Sequence, residues 1–210
     1  MVGGDFFDYW WLDKQEESSQ RRLGFVIADV SDKGVSAAMF MMLSRSLVRA
    51  AALHGAPPAV ALTRANRWIA RDSESAMFVT LFYGIIEPES GLLTYCCAGH
   101  NPPMLVRNDG EIIELSTPGI VLGVLEDVQL NQAEITFFPG DVLVCYTDGV
   151  TEGINDTMEP FGTARLMDII RAQRTNSAAQ MVTAITTSLF QFTNGAIFDD
   201  VTLLIIKRGE

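Results

Sequence analysis

The chain predicts an α+β fold of two antiparallel sheets sandwiched by pairs of helices, and three observations lead there. Short strand-like runs follow one another across turn-forming clusters, which is the pattern of hairpins and hence of antiparallel sheet. The helical segments come in consecutive pairs between those runs, so that apolar faces cover sheets in layers. The chain has 210 residues, of which 48% are apolar, enough for one domain with a sizeable core and too apolar for disorder. No internal repeat and no linker composition interrupts it, so residues 1–210 read as a single domain.

The elements follow in order. Residues 7–12 and 22–28 form a first hairpin whose polar connection, 14–20, is expected to be mobile. A helix over about 34–53 comes next, and Pro57-Pro58 opens a second helix to about 71, proline being suited to a helix start. Val60, Ala65, Trp68 and Ile69 give this second helix a one-sided apolar face. Residues 37–43 of the first helix are apolar nearly all round, so it is either wholly buried or covered by a partner. Residues 78–86 meet 91–98 across Pro88 to Gly91, 103–106 meet 111–115 across Asn108-Asp109-Gly110, and 133–138 meet 141–146 across Pro139-Gly140. Helices at 161–173 and 177–192 precede a last strand at 201–207.

Charge and composition exclude several functions. The net charge of −11 and a pI near 4.6 disfavour binding to a phosphate backbone, so nucleic acid is not expected as a partner. No apolar run approaches the ~18–20 residues that span a bilayer, and no signal peptide is present. Cys96, Cys97 and Cys145 lie inside apolar strand runs without metal-ligand spacing, which fits buried thiols in a reducing, cytoplasmic compartment.

Aspartates at the ends of strands carry the chemistry. LGFVIADV delivers Asp29, VLVCYTDG delivers Asp148, DDVTLLII opens on Asp199 and Asp200, and GGDFFD places Asp5 at the start. Singly these are ordinary, since most of the 26 acidic residues must be surface carboxylates. Jointly, converging carboxylates repel unless a cation lies between them. With only two histidines and three cysteines in the chain, the expected cation is hard and divalent, Mn²⁺ or Mg²⁺, and two such ions can activate water for phosphoester hydrolysis. The sequence has no GxSxG elbow, no HExxH and no P-loop lysine motif.

Five blocks then stand in a recognisable order: Gly3-Gly4-Asp5, residues 29–38 (DVSDKGVSAA), 98–103 (AGHNPP), 147–152 (TDGVTE) and 199–202 (DDVT). Over essentially its whole length the chain resembles the SpoIIE-type, RsbU-like bacterial branch of the PPM, or protein phosphatase type 2C-like, family. The resemblance implies an α-β-β-α sandwich, a two-ion Mn²⁺/Mg²⁺ centre and dephosphorylation of phosphoserine or phosphothreonine in proteins. By position, Asp29 matches the bridging ligand, the Val30 carbonyl a further metal contact, and Asp148 and Asp199 ligands of the other ion. Asp5 matches an acidic residue that holds metal-bound water, and Asp200 lies near the metals or caps the strand start. Gly3 and Gly4 let backbone approach closely. His100 either protonates the leaving alkoxide or fixes the 99–103 loop. Lys33 either meets substrate phosphate or caps its loop. Glu152 supports the ligands, His54 is a surface residue, and Met39, Met41 and Met42 belong to the core or a partner surface.

The chain departs from the family pattern at Ser31, where some members carry histidine, so the leaving-group acid is unassigned. Asp32 and Ser36 stand where glycine and proline are common in the branch. The start of the chain almost on the first motif suggests the C-terminal part of a longer sensor protein. The resemblance further implies an upstream sensor domain and a phosphorylated STAS-domain anti-sigma-factor antagonist as substrate. Helices 34–71 would form a regulatory or homodimer surface gating metal occupancy, for which Phe40→Glu and Met41→Glu are the natural probes. The rival readings are a pseudophosphatase that docks a partner and a hydrolase of a small phosphate ester.

Overall fold

The computed structural model describes residues 3–12, 21–72, 77–196 and 199–209, so the connection 14–20 lies outside the described residues. The elements are β1 (Phe6–Leu12), β2 (Arg22–Val30), α1 (Val35–Ala52), α2 (Pro58–Asp72), β3 (Val79–Ile86), β4 (Leu92–Ala98), β5 (Met104–Val106), β6 (Ile112–Glu114), β7 (Ala133–Thr136), β8 (Val142–Tyr146), α3 (Asp148–Thr151), α4 (Gly162–Gln173), α5 (Ala178–Phe192) and β9 (Leu203–Lys207). They make two antiparallel sheets, of strand order β1-β2-β3-β4-β7 and β6-β5-β8-β9. The chain divides into two compact units, Met1–His100 with Ser116–Phe137 and Asn101–Leu115 with Phe138–Glu210, each holding one sheet and one long helix pair.

In the first unit, strict alternation along β1 buries Phe6, Asp8, Trp10 and Leu12 and turns Phe7, Tyr9 and Trp11 outward. A period of two is what a strand with one core face requires. The buried face joins Val26 and Ala28 of β2, Leu81 and Tyr83 of β3 and Cys96 of β4 under the helix pair. From α1 come Ala37, Phe40, Val48, Ala51 and Ala52, and from α2 come Ala61, Leu62, Ala65 and Ile69. Each large aliphatic side chain buried this way contributes about 1.5–3 kcal/mol.

Two expectations about the helices change. Val60 and Trp68 do not belong to the buried face of α2; they are exposed, while Ala61, Leu62, Ala65 and Ile69 pack on the sheet. The helix turns its small residues to the sheet, where they permit close approach, and leaves the bulky ones outside. Likewise α1 is not wholly buried: Met39 and Met42 are 68% and 65% exposed, whereas Phe40 is core. Phe40→Glu would therefore disrupt packing and does not probe a surface. The absence of a long apolar helix also needs correcting, because α1 is long and apolar enough to cross a membrane by length and composition, with a third of it buried in this fold. Its serines and arginines interrupt the apolar run without lowering the mean enough to exclude it.

In the second unit, Met104, Val106, Val142, Val144 and Tyr146 of the sheet pack under Leu166 and Ile170 of α4 and Met181, Ile185 and Leu189 of α5. A capping box starts α5: the Ser177 hydroxyl accepts from the Gln180 amide, and the Gln180 side chain accepts from the Ser177 amide. Lys207 Nζ donates to the Arg174 and Asn176 carbonyls, both at 2.9 Å, where α4 ends. The short α3 was not anticipated; Asp148 opens it and does not end a strand.

The expected hairpin of 133–138 with 141–146 does not form. β7 pairs with β4, and β8 lies between β5 and β9. All five residues of β8 are buried, and such a strand takes neighbours on both sides. β7 is half exposed and suits a sheet edge. Pro139-Gly140, with Gly140 at φ 85°, makes a turn inside the second unit, closed by the Asp141 amide donating to Phe138 O at 3.0 Å. The remaining three hairpins pair as expected.

Candidate functional site

Of the five blocks, Gly3-Gly4-Asp5 and 29–38 lie in the first unit and 147–152 and 199–202 in the second, while 98–103 is divided between them. In the first unit, β1 and β2 pair from Phe6 opposite Ala28 to Leu12 opposite Arg22. Continued outward, this register sets Asp5 across from Asp29 and Gly4 across from Val30. A Cβ on Gly4 would lie 2.8 Å from the Val30 carbonyl oxygen. Glycine at position 4 therefore avoids a clash with that carbonyl. Two carboxylates and a backbone carbonyl are hard oxygen donors of the kind that fit Mg²⁺ or Mn²⁺.

The segment after Asp29 is pinned from both sides. Ser31 donates its amide to Phe78 O at 2.9 Å, and its hydroxyl accepts from the Phe78 amide at 2.9 Å. Ser31 thus holds the loop to the residue preceding β3. Asp32 adopts φ 79°, a region that favours glycine, and its carboxylate accepts from the Lys33 amide at 2.8 Å, a local bond that helps aspartate tolerate it. Asp29 pairs with Thr80 of β3. Thr80 Oγ1 lies 3.4 Å from the Asp29 carbonyl and 2.9 Å from His100 Nδ1. His100 is 4% exposed, and its own carbonyl accepts from Cys97 Sγ at 3.3 Å. Of the two roles open to His100, these contacts are those of a residue that fixes the 99–103 loop.

In the second unit, the β8–β9 ladder ends at Tyr146 opposite Leu203. A side-chain clamp extends it: Thr147 N donates to Thr202 O at 3.1 Å, and Thr202 N to Thr147 Oγ1 at 3.0 Å. Asp148 follows as the first residue of α3. A Cβ on Gly149 would meet the Asp200 carbonyl oxygen at 2.0 Å and Asp199 Cβ at 3.4 Å. No side chain fits at 149, and this close pass sets the 199–200 segment beside Asp148-Gly149. The Asp199 carboxylate accepts from the Asp200 amide at 2.9 Å, a local bond within the 199–200 segment that precedes β9.

The structure thus sets Asp5 with Asp29 and Val30, and Asp148 with Asp199 and Asp200. Among the described residues, no group of three or more His, Cys, Asp or Glu forms a ready-made metal cluster. The cysteines are not rival nucleophiles. Burial pushes the Cys96 thiol up to about 12, with Cys97 adding to the shift, and burial also raises Cys97 and Cys145, so all three stay protonated near neutrality.

Sequence reasoning missed two residues near this machinery. Asp8, on the buried face of β1, takes Arg45 at 3.0 Å and Arg49 at 2.8 Å from α1. A carboxylate at a core position of an alternating strand was the available signal. Buried Asn66 of α2 donates to the Leu125 and Glu126 carbonyls at 2.8 and 3.0 Å and accepts from the Gly123 amide at 2.9 Å. Leu122 then pairs with Val79, which is opposite Val30.

Comparison with known proteins adds ancestry to this geometry. The family model for Stage II sporulation protein E (SpoIIE) matches residues 19–209. Protein IcfG of Synechocystis sp. is 33% identical over 238 residues, covering 99% of this chain and 36% of the relative. Phosphoserine phosphatase RsbU of Bacillus subtilis is 30% identical over 204 residues, covering 96% of this chain and 59% of the relative. The chain therefore spans between about a third and three fifths of these two proteins. The crystal structure of the RsbU and RsbW domains of a Mycobacterium tuberculosis protein superimposes with a TM-score of 0.81 at 29% identity, covering 99% of this chain and 57% of the other.

Proposed function

The chain belongs to the SpoIIE family, and from that premise we propose that it is a metal-dependent protein serine/threonine phosphatase of bacterial signalling. One observation carries the reading: the motif carboxylates are held at strand ends by glycines that admit no side chain. Gly4 leaves room for the Val30 carbonyl and Gly149 for the Asp200 carbonyl. Asp29 and the Val30 carbonyl in the first unit, and Asp148 and Asp199 in the second, are the residues that would hold the divalent metal. Bound there, Mn²⁺ or Mg²⁺ supplies a water nucleophile at neutral pH and neutralises charge on the phosphoryl oxygens.

The protein's own groups position and hold. Asp5, opposite Asp29, accepts hydrogen bonds from water at the site. Asp200 places its carbonyl against Gly149 and adds negative charge beside Asp199. Ser31 and Thr147 lock the two ligand segments to their neighbouring backbones, so the carboxylates are preorganised and do not reorganise during the reaction.

The substrate we propose is a phosphoserine or phosphothreonine protein, with an anti-sigma-factor antagonist of the STAS type as the candidate; the naming of RsbU as a phosphoserine phosphatase supports this class. We place the reaction in the cytoplasm, in keeping with three free, buried cysteines. An upstream sensor domain would act through α1 and α2, whose exposed Met39, Met42 and Val60 offer a second copy an apolar surface. Met42→Glu, in place of Phe40→Glu, tests that contact by sedimentation.

The deciding assay is hydrolysis of p-nitrophenyl phosphate and of a phosphoserine peptide against Mn²⁺ concentration, with Asp29→Asn as control. Turnover that needs metal and is lost in the variant supports the reading. Metal-independent turnover, or none at any Mn²⁺ concentration, overturns it. Turnover of the small ester alone points to the non-protein substrate class.

A further inference from the structure

The second unit contains a cavity of about 320 Å³ that adjoins the 149 and 199 positions. It is walled by Thr186, Leu189 and Phe190 of α5, by Gly153 and by Val201. α5 carries no ionisable residue along its fifteen positions. The wall is preformed: a Cβ on Gly153 would lie 2.8 Å from Leu189 Cδ1, and the Phe190 ring, although 59% exposed, rests against Gly195. Among the described lining residues only Glu152 and Asp199 are ionisable, and both are acidic.

We infer that this cavity receives a large apolar side chain flanking the phosphoserine of the protein substrate, and so selects substrates by sequence. The inference rests on the phosphatase reading above and extends it. The volume is at the small end of the ~300–1,000 Å³ range of ligand pockets and is more than sufficient for one bulky side chain, since a cavity of about 150 Å³ already holds a benzene ring. Burying such a group against Leu189, Phe190 and Val201 is favourable without any polar partner, whereas an acidic side chain would meet the Glu152 carboxylate and be repelled. Because Asp199 belongs both to the cavity and to the proposed ligand set, the side chain that enters is a near neighbour of the phosphorylated residue.

The test uses phosphoserine peptides with an alanine-glycine background, in which one leucine is scanned through the positions either side of the phosphoserine. At one position, leucine should raise kcat/KM over alanine roughly tenfold or more, the scale of a hydrophobic subsite, mainly through KM, and aspartate should be the poorest. Thr186→Trp fills the cavity and Phe190→Ala removes a wall. Both sites are exposed, and each variant should bring the leucine-to-alanine ratio to about one at an unchanged thermal midpoint. A ratio near one at every position in the unsubstituted chain, or a ratio that survives Thr186→Trp, overturns the inference. Fluorescence anisotropy of the same labelled peptides gives a readout without turnover. Hydrolysis of free phosphoserine without leucine preference defeats the cavity and leaves the phosphatase. Leucine-selective binding lost in Thr186→Trp, without hydrolysis of any ester, does the reverse. No selective binding and no hydrolysis defeats both.

Discussion

The two units solve one problem, seating a helix pair on an antiparallel sheet, in different ways. In the first unit, polar latches supplement the apolar core: Asp8 ties β1 to Arg45 and Arg49 of α1, and Asn66 ties α2 to the 123–126 loop. In the second, apolar packing of Leu166, Ile170, Met181, Ile185 and Leu189 dominates, with Phe161 edge-on to Phe192 at 5.5 Å between ring centroids, and Lys207 of β9 adds a polar tie to the Arg174 and Asn176 carbonyls. Hydrogen bonds and ion pairs are directional and break one at a time, whereas apolar packing is non-directional and fails as a block. The latched pair is the one that follows Asp29 and Val30 through a short loop.

The largest expected effect tests what the units share. Asp29→Asn and Asp148→Asn, one in each unit, should each lower kcat/KM by roughly 10²–10³-fold, the scale of losing one preorganised electrostatic group, with the denaturation midpoint retained. A loss confined to one of the pair would break the symmetry in steady-state assays.

Core truncation comes next. Ile185→Ala in the second unit should cost about 2–5 kcal/mol and be insensitive to salt in urea melts. Asn66→Ala should cost about 1–2 kcal/mol, because the Leu125 and Glu126 carbonyls and the Gly123 amide lose the buried side chain that ties them to α2. Hydrogen exchange should rise at Gly123 and through the 122–126 loop, leaving α5 unchanged. Asp8→Asn should cost about 1–2 kcal/mol, with the difference from the parent shrinking as salt is raised, since both arginines are about half exposed. If Ile185→Ala were salt-sensitive and Asp8→Asn were not, the contrast between the units would be wrong.

The smallest effect concerns the thiols. Cys96, Cys97 and Cys145 should resist maleimide at pH 8 until the chain unfolds. Their folded pKa values are raised by burial, so the folded state holds these protons more tightly than the unfolded chain. Stability from this source is present at neutral pH and declines as pH rises past about 9 towards 12, where Cys96 titrates. Rapid labelling of the folded chain would show the strands opening locally.

Much of this was legible in the residues themselves. Strand-like apolar runs and Gly/Pro/Asn turns marked β1 to β6, and proline marked the start of α2. The aspartates at the ends of apolar runs identified the candidate ligands, and the ordered blocks identified the family. These are local signals, set by backbone preference and side-chain period. Tertiary structure decided what local signals leave open. Whether 133–138 and 141–146 pair depends on what else β8 lies beside, and a strand buried on both faces takes two neighbours. Which face of α2 goes inward depends on how closely a helix can approach the sheet, and alanines won over Trp68. That Gly149 admits no side chain, that Asp8 receives two arginines and that Asn66 holds a loop some sixty residues away are facts of long-range contact. No spacing in the chain encodes them, because the partners meet only once the backbone has folded.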